Sequence, residues 1–123
     1  MYIAITILVL LAAFFLLKGG KSNINSSINR VSPNEAKVLL KDKNTVLLDV
    51  RTPAEVSQGK IKGAKTLNVA STGFITGLKS LDKSKNYVVY CRSGRRSMRA
   101  CSMMASNGFD NLNNLEGGYN AWS

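Results

Sequence analysis

Two short runs of this chain, Thr45 to Val50 and Tyr87 to Tyr90, are apolar without alternation. A strand with one wet face alternates with period two, so an unbroken apolar run calls for a strand covered on both faces, as in a parallel sheet. Parallel strands need long crossovers, and the segments between these runs are too long for hairpins. Helix signals fill them. Ser32-Pro33-Asn34-Glu35 and Thr52-Pro53-Ala54-Glu55 each combine a capping box with proline at the first helical position. The first predicts a helix to about Lys41, the second a short helix. Ala64 to Val69 reads as a further strand, Thr72 to Leu81 as a helix and Phe109 to Leu115 as a last strand. Tyr119 to Trp122 reads as a helical stub with Trp122 turned inward. The alternation of strand and helix predicts an α/β fold, with ligands beyond the carboxyl ends of the strands.

One strand end carries chemistry. Tyr87 to Tyr90 runs directly into Cys91-Arg92-Ser93-Gly94-Arg95-Arg96-Ser97, and Ser97 to Ala105 has helical spacing of Met98, Cys101 and Met104 or Ala105. A cysteine between a strand end and a helix start faces backbone N–H groups and the positive end of a helix dipole. Arg92, Arg95, Arg96 and Arg99 lie within two turns. Each effect favours thiolate, the nucleophilic form. Cys101 falls on the apolar face of the helix and reads as a small core residue. It lies too far along the helix to bridge to Cys91.

Composition narrows the chemistry. The chain has 123 residues, 17 basic against 7 acidic, for a net charge of +10. The excess points to anionic partners. The bases are scattered lysines plus one arginine cluster around a cysteine, which does not resemble a nucleic-acid surface. Histidine is absent, which excludes Cys-His and Ser-His pairs; with two cysteines it also excludes the usual zinc sites. No cofactor is implied.

The first residues form a separate unit. Tyr2 to Leu17 is uncharged and apolar, at the short end of what spans a bilayer, and Lys18 and Lys21 follow. Residues 1–18 are expected to be a single-pass transmembrane anchor and 19–29 a glycine-, serine- and asparagine-rich linker. The domain is expected over 30–123. Lys18, Lys21 and Arg30 place it on the cytoplasmic side by the positive-inside rule. Export to the periplasm is the alternative, and a cleaved signal is disfavoured because no basic residue precedes the run.

Four blocks recur in order, Leu47-Leu48-Asp49-Val50-Arg51-Thr52-Pro53-Ala54-Glu55, Gly59-x-Ile61-x-Gly63-Ala64, Cys91 to Ser97, and Gly117-Gly118-Tyr119-x-Ala121-Trp122. With them the chain, from about Val31 to Trp122, resembles the rhodanese-like (single-domain sulfurtransferase) domains. The family often has histidine where Lys60 stands and an aromatic where Val56 stands. The resemblance implies a three-layer fold with a five-stranded parallel sheet, here preceded by one N-terminal hydrophobic helix. It implies that Cys91 is the catalytic residue. Cys91 would take the outer sulfur of thiosulfate, or of another small anionic donor, as a persulfide and pass it to a thiol, to a protein partner or to cyanide. Backbone N–H groups from Arg92 through Ser93, Gly94 and Arg95 to Arg96 would cradle that sulfur, and Arg92 and Arg96 would hold the anion. Asp49 and Arg51 would be structural, and Glu55 the partner of a nearby arginine.

Two other functions compete with sulfur transfer. A cysteine phosphatase needs arginine after five intervening residues, where this chain has Ser97, and usually histidine before the cysteine, where it has Tyr90. A membrane-tethered adaptor would bind a protein partner without turnover, a role associated with domains that have lost the cysteine.

Overall fold

The computed structural model describes residues 28–122. The expected anchor, and most of the expected linker, lie outside the described residues. Among the described residues no helix is long and apolar enough to cross a membrane.

Five strands, β1 (Asn29–Val31), β2 (Thr45–Asp49), β3 (Lys65–Thr66), β4 (Asn86–Tyr90) and β5 (Leu112–Leu115), form one sheet in the order β1-β5-β4-β2-β3. Every pairing is parallel. The helices are α1 (Pro33–Leu39), α2 (Pro53–Ser57), α3 (Phe74–Leu78), α4 (Arg95–Ser106) and α5 (Gly118–Ala121). β4 lies in the middle of the sheet, so its carboxyl end is flanked by the ends of β2 and β5.

The two apolar runs are covered on both faces, as their lack of alternation requires. Leu48, Val50, Tyr87, Val89 and Cys91 pack in one core with Phe74 and Leu78 of α3 and Ala100, Cys101 and Met104 of α4. The intervening Leu47, Val88 and Tyr90 pack in the other with Ala36 of α1, Ile61, Ala64 and Leu115. Leu39, Tyr119 and the half-buried Trp122 line the edge of this second core. The helix starts follow the sequence signals. Ser32 and Thr52 each accept the N–H of the glutamate three residues on, and that glutamate accepts the N–H of the cap in return.

Other boundaries differ from the sequence expectation. The chain is already packed at Ile28, and Asn29–Val31, assigned in part to the linker, pairs with β5 as an edge strand. β3 shrinks to two residues, and α3 spans Phe74–Leu78 rather than Thr72 to Leu81. α4 starts at Arg95 rather than Ser97, because Gly94 at φ 108° turns the chain in a left-handed conformation open to glycine. Lys60, where the family often has histidine, donates from Nζ to the Ala64 carbonyl at 2.7 Å and closes the loop before β3.

Candidate active site

Cys91 follows β4 directly and is 1% exposed. Its Sγ accepts the N–H of Gly94 at 3.1 Å and lies 3.3 Å from Oγ of Ser97. Backbone N–H groups of Ser93 and Ser97 also favour its charged form. Burial alone pushes the thiol up. The hydrogen bonds from Ser97, Gly94 and Ser93 outweigh it, and the net shift is downward from the ordinary thiol value. Cys101, also fully buried but without such donors, is pushed up to about 12 by desolvation. The loop before α4 and the helix itself thus carry two cysteines of opposite character.

The loop is held open from outside. Tyr119 N–H donates to the Cys91 carbonyl at 2.8 Å and Asn120 N–H to the Arg92 carbonyl at 3.0 Å. With those carbonyls drawn to α5, the amides beyond them turn inward. Gly118 makes this approach feasible: a Cβ there would lie 2.5 Å from the Cys91 carbonyl oxygen. On the far side, Asn114 of β5 donates from Nδ2 to the Gly94 carbonyl at 3.1 Å and accepts from the Ser97 hydroxyl at 2.5 Å. Neither Ser97 as a sulfur partner nor Asn114 was singled out from the sequence. For Asn114 the available signal was the polar pair Asn113-Asn114 between Leu112 and Leu115 in an expected strand.

Asp49 and Arg51 form the buried frame behind the loop. Arg51 donates to Asp49 from its backbone N–H and from its guanidinium, the shortest contact being 2.7 Å from Nη2 to Oδ2. The same nitrogen reaches the Gly59 carbonyl at 2.7 Å. Tyr90, one residue before the cysteine, donates its hydroxyl to Asp49 Oδ2 at 2.7 Å and accepts Ile61 N–H at 3.1 Å. The Arg51 guanidinium also stacks 4.3 Å over the Tyr119 ring. These groups tie β2, β4 and α5 together and do not touch the sulfur.

The four arginines do not act as one cluster. Arg96 is gripped by Glu55 through two hydrogen bonds of 2.7 and 2.9 Å. Arg99 turns toward the Val69 carbonyl. Arg92 lines a cavity of about 250 Å³ with Arg51, Glu55, Gly59 and Tyr119. Arg95 lines another of about 460 Å³ with Arg30, Ser93 and Asn114. The largest favourable influence on Cys91 is hydrogen bonding, from Ser97, Gly94 and Ser93. Arg96 still feels the sulfur's negative charge.

The chain is similar to known proteins in sequence and in fold. A sulfurtransferase of Allochromatium vinosum is 36% identical over 97 residues, 78% of this chain and 89% of the relative. A tRNA uridine(34) hydroxylase of Pelagibacter ubique is 33% identical over 98 residues, 79% of this chain but 33% of that protein. The crystal structure of a rhodanese-like domain protein from Staphylococcus aureus superposes with a TM-score of 0.68 at 32% identity, covering 77% of this chain and 91% of that one. The family model for the rhodanese-like domain matches residues 32–123, and the chain belongs to that family.

Proposed function

We propose that the domain is a sulfurtransferase in which Cys91 accepts a sulfane sulfur from a small anionic donor such as thiosulfate and passes it to a thiol. The observation that carries this reading is the sulfur itself: a buried cysteine at a strand end, with N–H donors and a hydroxyl arranged around Sγ. The Cys91 thiolate attacks the outer sulfur of thiosulfate. A sulfur–sulfur bond forms, the donor's own sulfur–sulfur bond breaks, and its electron pair leaves with sulfite. An acceptor thiolate then attacks the outer sulfur, and the electron pair of the broken bond returns to Cys91. No external oxidant or reductant enters.

The site favours sulfur over phosphate. The position where a cysteine phosphatase needs arginine holds Ser97, fully buried and bonded to Sγ and Asn114. The nearest arginine, Arg96, is engaged by Glu55.

Mass spectrometry of the purified protein after incubation with thiosulfate tests the proposal. Wild type is expected to gain the mass of one sulfur atom on the peptide containing Cys91, and Cys91→Ser none. Added sulfur on Cys101 instead, or none on either cysteine, overturns the assignment.

A further inference from the structure

Ser97 sits in the first turn of α4 with no solvent exposure. A serine hydroxyl has one hydrogen to donate. Two acceptors face it: Cys91 Sγ at 3.3 Å and Asn114 Oδ1 at 2.5 Å. The orientation of the Asn114 amide is not free. Its nitrogen end must face the Gly94 carbonyl, an obligate acceptor, which leaves the oxygen end for Ser97. With sulfur as a thiol, S–H donates to Ser97 and the hydroxyl hydrogen goes to Asn114. With sulfur as a thiolate, the hydrogen has two claimants, of which the charged one binds more strongly.

We propose that Ser97 is a second catalytic residue of sulfur transfer, positioned by Asn114, whose hydroxyl hydrogen turns to Cys91 Sγ when that sulfur is negatively charged and back to Asn114 when it is not. The inference rests on the persulfide reading above. On loading, the negative charge moves from Sγ to the outer sulfur, and the hydroxyl hydrogen returns to Asn114 Oδ1. On discharge, the Sγ–S bond breaks, its electron pair returns to Sγ, and the hydroxyl hydrogen swings back to meet it. No proton is gained or lost at Ser97 in either step. The hydroxyl therefore stabilises charge that develops in the transition state of discharge. In loading it stabilises the charge already present in the ground state. Among the described residues, the titratable groups that sense the sulfur are Arg96 on the same helix as Ser97, neutralised by Glu55, and Cys101, held as a neutral thiol by burial. Neither can take over the hydroxyl's role.

The test compares wild type, Ser97→Ala, Ser97→Thr and Asn114→Ala in the full chain. The pH dependence of Cys91 alkylation by iodoacetamide reports thiolate formation without any sulfur chemistry. Ser97→Ala is expected to shift that profile upward by about one pH unit, the worth of one hydrogen bond to a charged sulfur, and Ser97→Thr to restore it. Asn114→Ala removes the competing acceptor and is expected to shift the profile downward, the reverse of what a loosened loop would do. In single turnovers, discharge of preloaded Ser97→Ala to a small thiol is expected to slow by about tenfold, with loading above the thiol pKa not slowed. A folded Ser97→Ala with an unchanged alkylation profile, or an upward shift in Asn114→Ala, overturns the inference even where wild type takes up sulfur. Absence of sulfur on wild-type Cys91 overturns instead the parent reading, and this step with it.

Discussion

Glu55 grips Arg96 across 41 positions of sequence, Nη1 donating to Oε1 at 2.7 Å and Nη2 to Oε2 at 2.9 Å. The hydrogen bond from Arg96 holds the carboxyl down at about 2, against an ordinary 4.5. The carboxyl thus binds fewer protons folded than unfolded. Its contribution to stability is full above about pH 4.5 and is lost as pH falls toward 2. The pair is a quarter to a third exposed, so solvent screening limits it to about 1 kcal/mol. Glu55→Gln is expected to lower the urea midpoint at pH 7 and to leave the two proteins closer in stability at pH 3. An equal gap at both pH values contradicts this.

The contact between α5 and the loop admits no side chain at Gly118. Its φ of 57° disfavours other residues, and a Cβ would strike the Cys91 carbonyl and the Arg92 backbone. Gly118→Ala is expected to cost about 2–4 kcal/mol in strain and crowding. Sulfur transfer by the fraction that remains folded is expected to fall as well, because the clamp on the loop carbonyls is displaced. Denaturant unfolding, together with activity corrected for folded fraction, measures both effects.

Arg92 and Arg95 are exposed and have no ion-pair partner among the described residues, whereas Arg96 has one. Arg92→Ala and Arg95→Ala are each expected to raise the KM for thiosulfate by up to about tenfold, the scale of one charge-assisted contact, with kcat less affected. The penalty is expected to shrink as salt rises. Steady-state kinetics at two ionic strengths checks this, and an effect confined to kcat would refute an anion-holding role.

The run Tyr2 to Leu17, followed by Lys18 and Lys21, motivates a membrane tether for the domain. The full-length protein is expected to stay with the membrane fraction after carbonate extraction and to retain Met1. A soluble product beginning between Gly19 and Asn29 would rule the tether out.

Sequence pattern revealed what depends on neighbours in the chain. The unbroken apolar runs marked β2 and β4, and the two capping boxes marked α1 and α2, because each signal lies within a few residues of what it specifies. Cys91 was legible for the same reason, as a strand end meeting a helix start. β1 was not: Asn29-Arg30-Val31 has little strand character of its own and is a strand because β5 offers it an edge. Asn113 and Asn114 lie buried within β5, where local propensity would place apolar residues. Which arginine of the run Glu55 engages was not legible locally, since Arg96 lies 41 positions from it. Ser97 was hidden in a similar way. A serine near a helix start reads as a cap, and its partnership with Asn114 exists only once β5 lies beside β4.

The clamp that shapes the loop also dates its assembly. Tyr119 follows Cys91 by 28 residues (119 − 91) and Asn114 follows it by 23 (114 − 91). At about 5–20 residues per second of synthesis, the cysteine precedes both supports by roughly a second or more. During that interval the thiol has neither α5 to draw the loop carbonyls outward nor β5 to orient Ser97. The nascent chain therefore carries a cysteine without the donors that favour its thiolate, and the downward shift of its pKa arrives only with the finished fold.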